Sequence, residues 1–154
     1  EGASNPEQRL FVVSNTFVND LGRGDFIRVA APRDVQVINN IFVGGGNVLA
    51  GSGVLRNNLL VPGVGGAPHV EEPLYRDLSV EESGSRSAVD AGFIDLEGYD
   101  YRLKPGSPAI GGGAVPVSAG PLSLVPAVEY VHPTHTRQVQ PADPIDIGAY
   151  QHKP

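Results

Sequence analysis

The stretch VQVINNIFVGGG, Val35 to Gly46, sets two apolar runs on either side of an asparagine pair and closes on three glycines. The same phrase recurs before and after it. FVVSNTFVND (Phe11 to Asp20) and GVLRNNLLVPG (Gly53 to Gly63) align with it, so that Ser14-Asn15, Asn39-Asn40 and Asn57-Asn58 fall in register, followed by Phe17-Val18, Phe42-Val43 and Leu60-Val61. The second asparagines are 25 and then 18 residues apart, in or near the span of about 20–50 residues that marks solenoid repeats.

Asparagine tolerates the left-handed α region because its short amide bonds locally to the backbone. Between two strands it turns the chain sharply without a long loop. If successive turns stack at the strand spacing of about 4.8 Å, equivalent amides bond one to the next. Asn15, Asn40 and Asn58 are therefore the candidate ladder. The other reading makes them hairpin-turn residues of an antiparallel sheet, but hairpins seldom repeat one strand-Asn-strand phrase three times in register.

The apolar runs are three to five residues long, rich in Val, Ile, Leu and Phe, and broken at Gly, Asn and Asp. No 11-residue window there carries a helical period, so the reading is short strands and an all-β fold. A trial circuit runs through Phe26 to Ala30, Val35 to Ile38 and Ile41 to Val43, with the next beginning near Asn47. In the first of these runs, strand alternation turns Ile27 and Val29 inward and sends Phe26 and Arg28 out.

The chain has 154 residues, 40% of them hydrophobic, which suits one domain with a core. A net charge of −6 without any Lys/Arg cluster argues against a nucleic-acid or anionic-membrane surface. No apolar run approaches the roughly 18 residues of a membrane span, and the absence of cysteine removes disulfides and thiolate metal sites. All eight asparagines lie at or before Asn58, while twelve of the fourteen prolines follow Val61. That shift predicts strand repeats over 1–62, an acidic surface loop over 63–92, and a C-terminal cap of the same domain over 93–154. The opening EGASNPEQRL has neither a start methionine nor a charged-then-apolar leader, and reads as an interior or processed start.

The second half carries two further phrases. FID (Phe93 to Asp95) is followed by DYRLKPGSPAI (Asp100 to Ile110), and DIGAY (Asp146 to Tyr150) is followed by Gln151. In these segments and in its NNIFV turns, the sequence resembles the C-terminal part of right-handed parallel β-helix proteins of the pectate-lyase-like superfamily, over roughly Arg9 to Gln151. Gly111 stands where that group usually has Asp, and Gln151 where it has Glu.

The resemblance implies a secreted or cell-surface, carbohydrate-active protein, foremost a polysaccharide lyase acting on uronate polymers by β-elimination. Calcium or an arginine would offset the uronate carboxylate there, and a base of lowered pKa would remove the neighbouring proton. The alternative is a non-enzymatic β-helix binding glycans or proteins. A glycoside hydrolase would need paired carboxylates, and no pair stands out.

Arg28 and Arg56 are the candidate uronate contacts, each with a solvated surface charge as its plain reading. His132 and His135 offer two imidazoles near Arg137, with cap packing as the plain reading. Asp143 and Asp146 suit turn capping as well as calcium. About three circuits and a cap leave an apolar N-terminal face and unpaired strand groups. The expectation is thus a C-terminal portion of a longer β-helix, joined to its earlier part covalently or as a second chain, with catalytic residues largely in that part.

Overall fold

Each asparagine pair divides its labour in the computed structural model, which describes residues 7–30, 34–71, 78–116, 118, 120–131, 134–140 and 143–152. The first member bends the chain: Ser14, Asn39 and Asn57 have φ of 53°, 56° and 53°. The second member faces its counterparts. The N–H and Nδ2 of Asn15 both donate to Asn40 Oδ1, at 2.9 and 3.2 Å, and those of Asn40 donate to Asn58 Oδ1 at 3.0 and 3.1 Å. Asn40 and Asn58 are fully buried, where an amide without partners would be costly.

The strands between these turns form three sheets that the chain visits in a fixed order. The first pass is β1 (Arg9–Val13), β2 (Thr16–Val18) and β3 (Asp25–Arg28). The second is β4 (Asp34–Ile38), β5 (Ile41–Val43) and β6 (Gly46–Ala50), and the third is β7 (Gly53–Arg56), β8 (Leu59–Val61) and β9 (Pro68–His69). A fourth pass contributes β10 (Val80–Ser83) and β11 (Arg86–Ser87). The sheets run β1-β4-β7-β10, β2-β5-β8-β11 and β3-β6-β9, and all their pairings are parallel. The fold is thus all-β and built on parallel sheets, and no helix among the described residues is long and apolar enough to cross a membrane.

The fourth pass corrects the surface loop read over 63–92, whose described part adds β9, β10 and β11 to the sheets. Gly84, with φ of 70°, takes the bending position, and Ser85 Oγ accepts the Asn58 N–H at 3.2 Å. The ladder therefore continues with Gly-Ser in place of an asparagine pair.

Between the sheets lies a core of Val35, Val37, Phe42, Val48, Leu49 and Leu55 with Ile27. Phe17 stacks on Phe42 with ring centroids 5.1 Å apart. Ile27 and Val29 pack against this core and Arg28 is exposed, in keeping with strand alternation. Phe26 departs from it: its ring sits edge-on to Phe42 at 5.2 Å. The three glycines that close the opening stretch have a steric reason. A Cβ on Gly45 would lie 2.5 Å from Gly65 O and 2.9 Å from Gly22 O, so successive passes meet backbone to backbone at that corner.

The second half packs on the flank of the middle sheet. Ala91, Phe93, Leu103, Ala109 and Ile147 cover Ile41, Val43, Leu59 and Val61 on the face opposite Phe42. Asn39 holds the tail through both of its amide atoms, donating to Ala114 O at 2.7 Å and accepting from Ala114 N at 3.0 Å. Gly148 N donates to Asn39 O at 2.8 Å, Ala149 N donates to Thr16 Oγ1 at 3.2 Å, and Arg86 Nη2 donates to Gly112 O at 2.6 Å. These bonds reach from the first pass to the fourth. The described part of 93–154 is therefore a lateral cover across all four passes, where the sequence suggested an end cap.

Candidate functional site

Two antiparallel hairpins form part of that cover. One pairs β12 (Phe93–Asp95) with β13 (Asp100–Leu103), and the other pairs β14 (Val128–Val131) with β15 (His135–Gln138). Between them, with Tyr150 on the segment that follows, lies a groove of about 630 Å³, a usual size for a small-molecule or sugar site. Tyr99, Tyr101, Tyr130 and Tyr150 line it, with Arg102, Arg137 and Asp100 among the polar groups. The chain has five tyrosines, so four of them converge here.

The local folding sets each ring. Tyr101 packs edge-on against Phe93 at 5.4 Å, which anchors it to the core of the cover. Tyr99, 73% exposed, stands perpendicular to Tyr101 at 6.5 Å. Burial pushes the phenols of Tyr101 and Tyr150 above their ordinary pKa, because the phenolate loses hydration. Both hydroxyls stay neutral through the physiological range.

The two arginines are fixed by carboxylates. Arg102 Nε donates to Asp100 Oδ1 at 2.8 Å and its Nη2 to Oδ2. That bond from Arg102 holds the Asp100 carboxyl below its ordinary pKa and raises the guanidinium in turn. Arg137 donates through Nε to Glu129 Oε2 at 2.7 Å, and the Glu129 carboxylate is buried. Each guanidinium has five N–H donors, so these bonds leave donors at the groove surface.

Behind the groove the two tail phrases are tied together. Glu129 Oε1 accepts from Gln151 N at 2.7 Å, Gln151 Oε1 accepts from Asp146 N at 3.1 Å, and Asp146 Oδ1 accepts from Gly111 N at 2.7 Å. Asp146 and Gln151 thus support the groove wall from within. Gln151, which replaces the expected Glu, fits because it must both accept and donate: its Nε2 donates to Asp146 O at 3.4 Å.

The residues singled out in the sequence lie elsewhere. Arg28 is exposed on β3 and paired with Asp25. Arg56 is exposed on β7, in a different sheet, beside Glu81 and Glu82. The structure does not bring them together. His135 is exposed on β15, and His132 lies outside the described residues. Among the described residues no group of three or more His, Cys, Asp or Glu is placed to hold a metal ion. The tyrosines escaped the sequence reading because they are scattered without a period; the available signal was that nearly all of them follow the repeats. Set against protein-family models, curated proteins and solved structures, the chain finds no match in any of the three.

Proposed function

We propose that this chain belongs to a secreted or cell-surface right-handed parallel β-helix protein of the pectate-lyase-like kind, and that it binds polysaccharide in the tyrosine-lined groove. The convergence of four tyrosines carries the proposal. A sugar ring has apolar C–H faces and polar edges, and a phenol matches it with a flat apolar body and a polar rim. The spare N–H donors of Arg102 and Arg137 favour sugars that carry a carboxylate, so uronate polymers are the proposed class.

Binding is favoured over β-elimination at this groove. Elimination needs a base of lowered pKa, whereas Tyr101 and Tyr150 are shifted the other way. The tests are calorimetric titrations with oligogalacturonate, oligoalginate and a neutral glucan. Micromolar to millimolar binding of a uronate oligomer, weakened about 10-fold by Tyr99→Ala, supports the reading. No binding to any of the three, or binding untouched by Tyr99→Ala, overturns it. Appearance of unsaturated uronate products on incubation would restore the lyase reading.

A further inference from the structure

The charges around the groove do not all favour an acidic ligand. Arg102 meets Asp100 edge to edge, with Nε on Oδ1 at 2.8 Å and Nη2 on Oδ2, the two-bond geometry that a ligand carboxylate would otherwise take. The Arg102 backbone N also donates to Asp100 Oδ1, at 3.3 Å, so the carboxylate is tied to its own strand. Arg137 makes the second pair with Glu129, placing both Nε and Nη2 on the single oxygen Oε2, each at 2.7 Å. Two guanidiniums thus face two carboxylates, and the formal charge of the four groups is zero.

The two carboxylates are placed differently. The Glu129 side chain is 1% exposed and lies behind the wall, its other oxygen taken by Gln151 N. Asp100 is 27% exposed and is itself part of the lining. The hairpin turn holds it there. Gly98 N donates to Asp95 Oδ1 at 3.0 Å, Tyr99 follows with a left-handed φ of 62°, and Asp100 comes next as the first residue of β13. A tyrosine rarely adopts that φ, so its surroundings hold the turn on this path. The Tyr150 phenol senses the field between the two pairs. After burial, the groups that most raise its pKa are Asp100 and then Glu129, and Arg102 opposes them more weakly. An added negative charge is therefore disfavoured at the back of the groove and is stabilised at the outer tips of the guanidiniums.

We infer that Asp100 is a specificity-determining residue: it restricts the groove to acidic glycans whose free carboxylates are spaced by uncharged sugars, with one carboxylate at the arginine tips and an uncharged ring against Tyr150. The inference rests on the glycan reading above and narrows it. Consecutive carboxylates of an unbroken polyuronate cannot all sit at those tips in a groove of about 630 Å³, and one is brought against Asp100. Like charges in a partly desolvated site repel strongly enough to lower affinity on the order of 10-fold. An uncharged ring at the same place meets no such repulsion, and its hydroxyls can accept from the N–H donors that Asp100 leaves free on Arg102.

The test compares two oligogalacturonates of one length by calorimetric titration, one with every carboxylate free and one with about half of them methyl-esterified. The half-esterified oligomer should bind the unaltered protein on the order of 10-fold more tightly, and its affinity should change little with added salt because the groove's charges balance. Asp100→Asn keeps the side chain's size and removes its charge. The fully charged oligomer should then gain on the order of 10-fold in affinity, and that gain should shrink as salt rises. Equal or tighter binding of the fully charged oligomer by the unaltered protein overturns the inference and leaves the glycan reading standing. A preference that survives Asp100→Asn does the same. Binding of neither oligomer overturns both. The comparison on the unaltered protein decides the matter even if the variant fails to fold.

Discussion

The first sheet and the middle sheet are built by the same passes yet solve different problems. In β4 the alternation is plain: Val35 and Val37 are buried while Asp34 and Gln36 are half-exposed. In β5, one turn later, Ile41, Phe42 and Val43 are all buried, because the core takes Phe42 and the lateral cover takes its neighbours. A one-sided sheet needs one partner layer, and a two-sided sheet needs two. The Pro-rich second half is the layer that β5 and β8 require.

This comparison can be broken at graded points. Phe42→Ala removes the ring shared by all three sheets and should cost about 3–5 kcal/mol in denaturant unfolding, with loss of a single cooperative transition if the circuits part. Ile147→Ala, in the cover, should cost about 3 kcal/mol and should speed exchange in β5 and β8 while sparing β4 and β7. If β4 opens equally, the two sheets are not distinct units. Asn40→Ala deletes the middle rung, orphaning the Asn15 N–H; about 2 kcal/mol is expected. Gln36→Ala, on the outer face of β4, should change stability by no more than about 0.5 kcal/mol.

The smallest effect concerns pH. Tyr101 and Tyr150 have raised pKa values, so the stability they contribute is complete below the phenol's unfolded value near 10 and is lost as pH rises through the folded value. Uronate binding should accordingly be flat between about pH 6 and 9, and phenol absorbance should reveal tyrosines that ionise late. A binding optimum tied to a phenol in the neutral range would contradict the groove's description.

The circuits are legible in the sequence because their chemistry is local. Asn39-Asn40 states both the bend and the rung within two residues. The fourth pass is harder to read, since Gly84-Ser85 supplies the bend through glycine and the rung through a hydroxyl, and Glu82 breaks the apolar pattern. The cover has a faint signal in the unbroken run Ile41-Phe42-Val43, which reads equally well as an interior strand of any kind. The groove has least of all: Tyr99, Tyr130 and Tyr150 meet only because two hairpins and the tail meet, and nothing near any one of them names the others. Arg28 and Arg56 are exposed, which strand alternation and a plain surface charge both imply, but which sheet each strand joins is not written near either residue.

The two-sided burial of the middle sheet has a consequence for how the chain finds its own alignment. Pairing register is usually fixed by contrast, because a slip of one residue turns apolar side chains to water. Along Ile41-Phe42-Val43 and Leu59-Leu60-Val61 there is no such contrast, and a slip exchanges one greasy residue for another. The amides of Asn40 and Asn58, immediately before those strands, find partners at a single offset. The chain thus writes cohesion in one set of residues and address in another, and a variant can keep the first while losing the second.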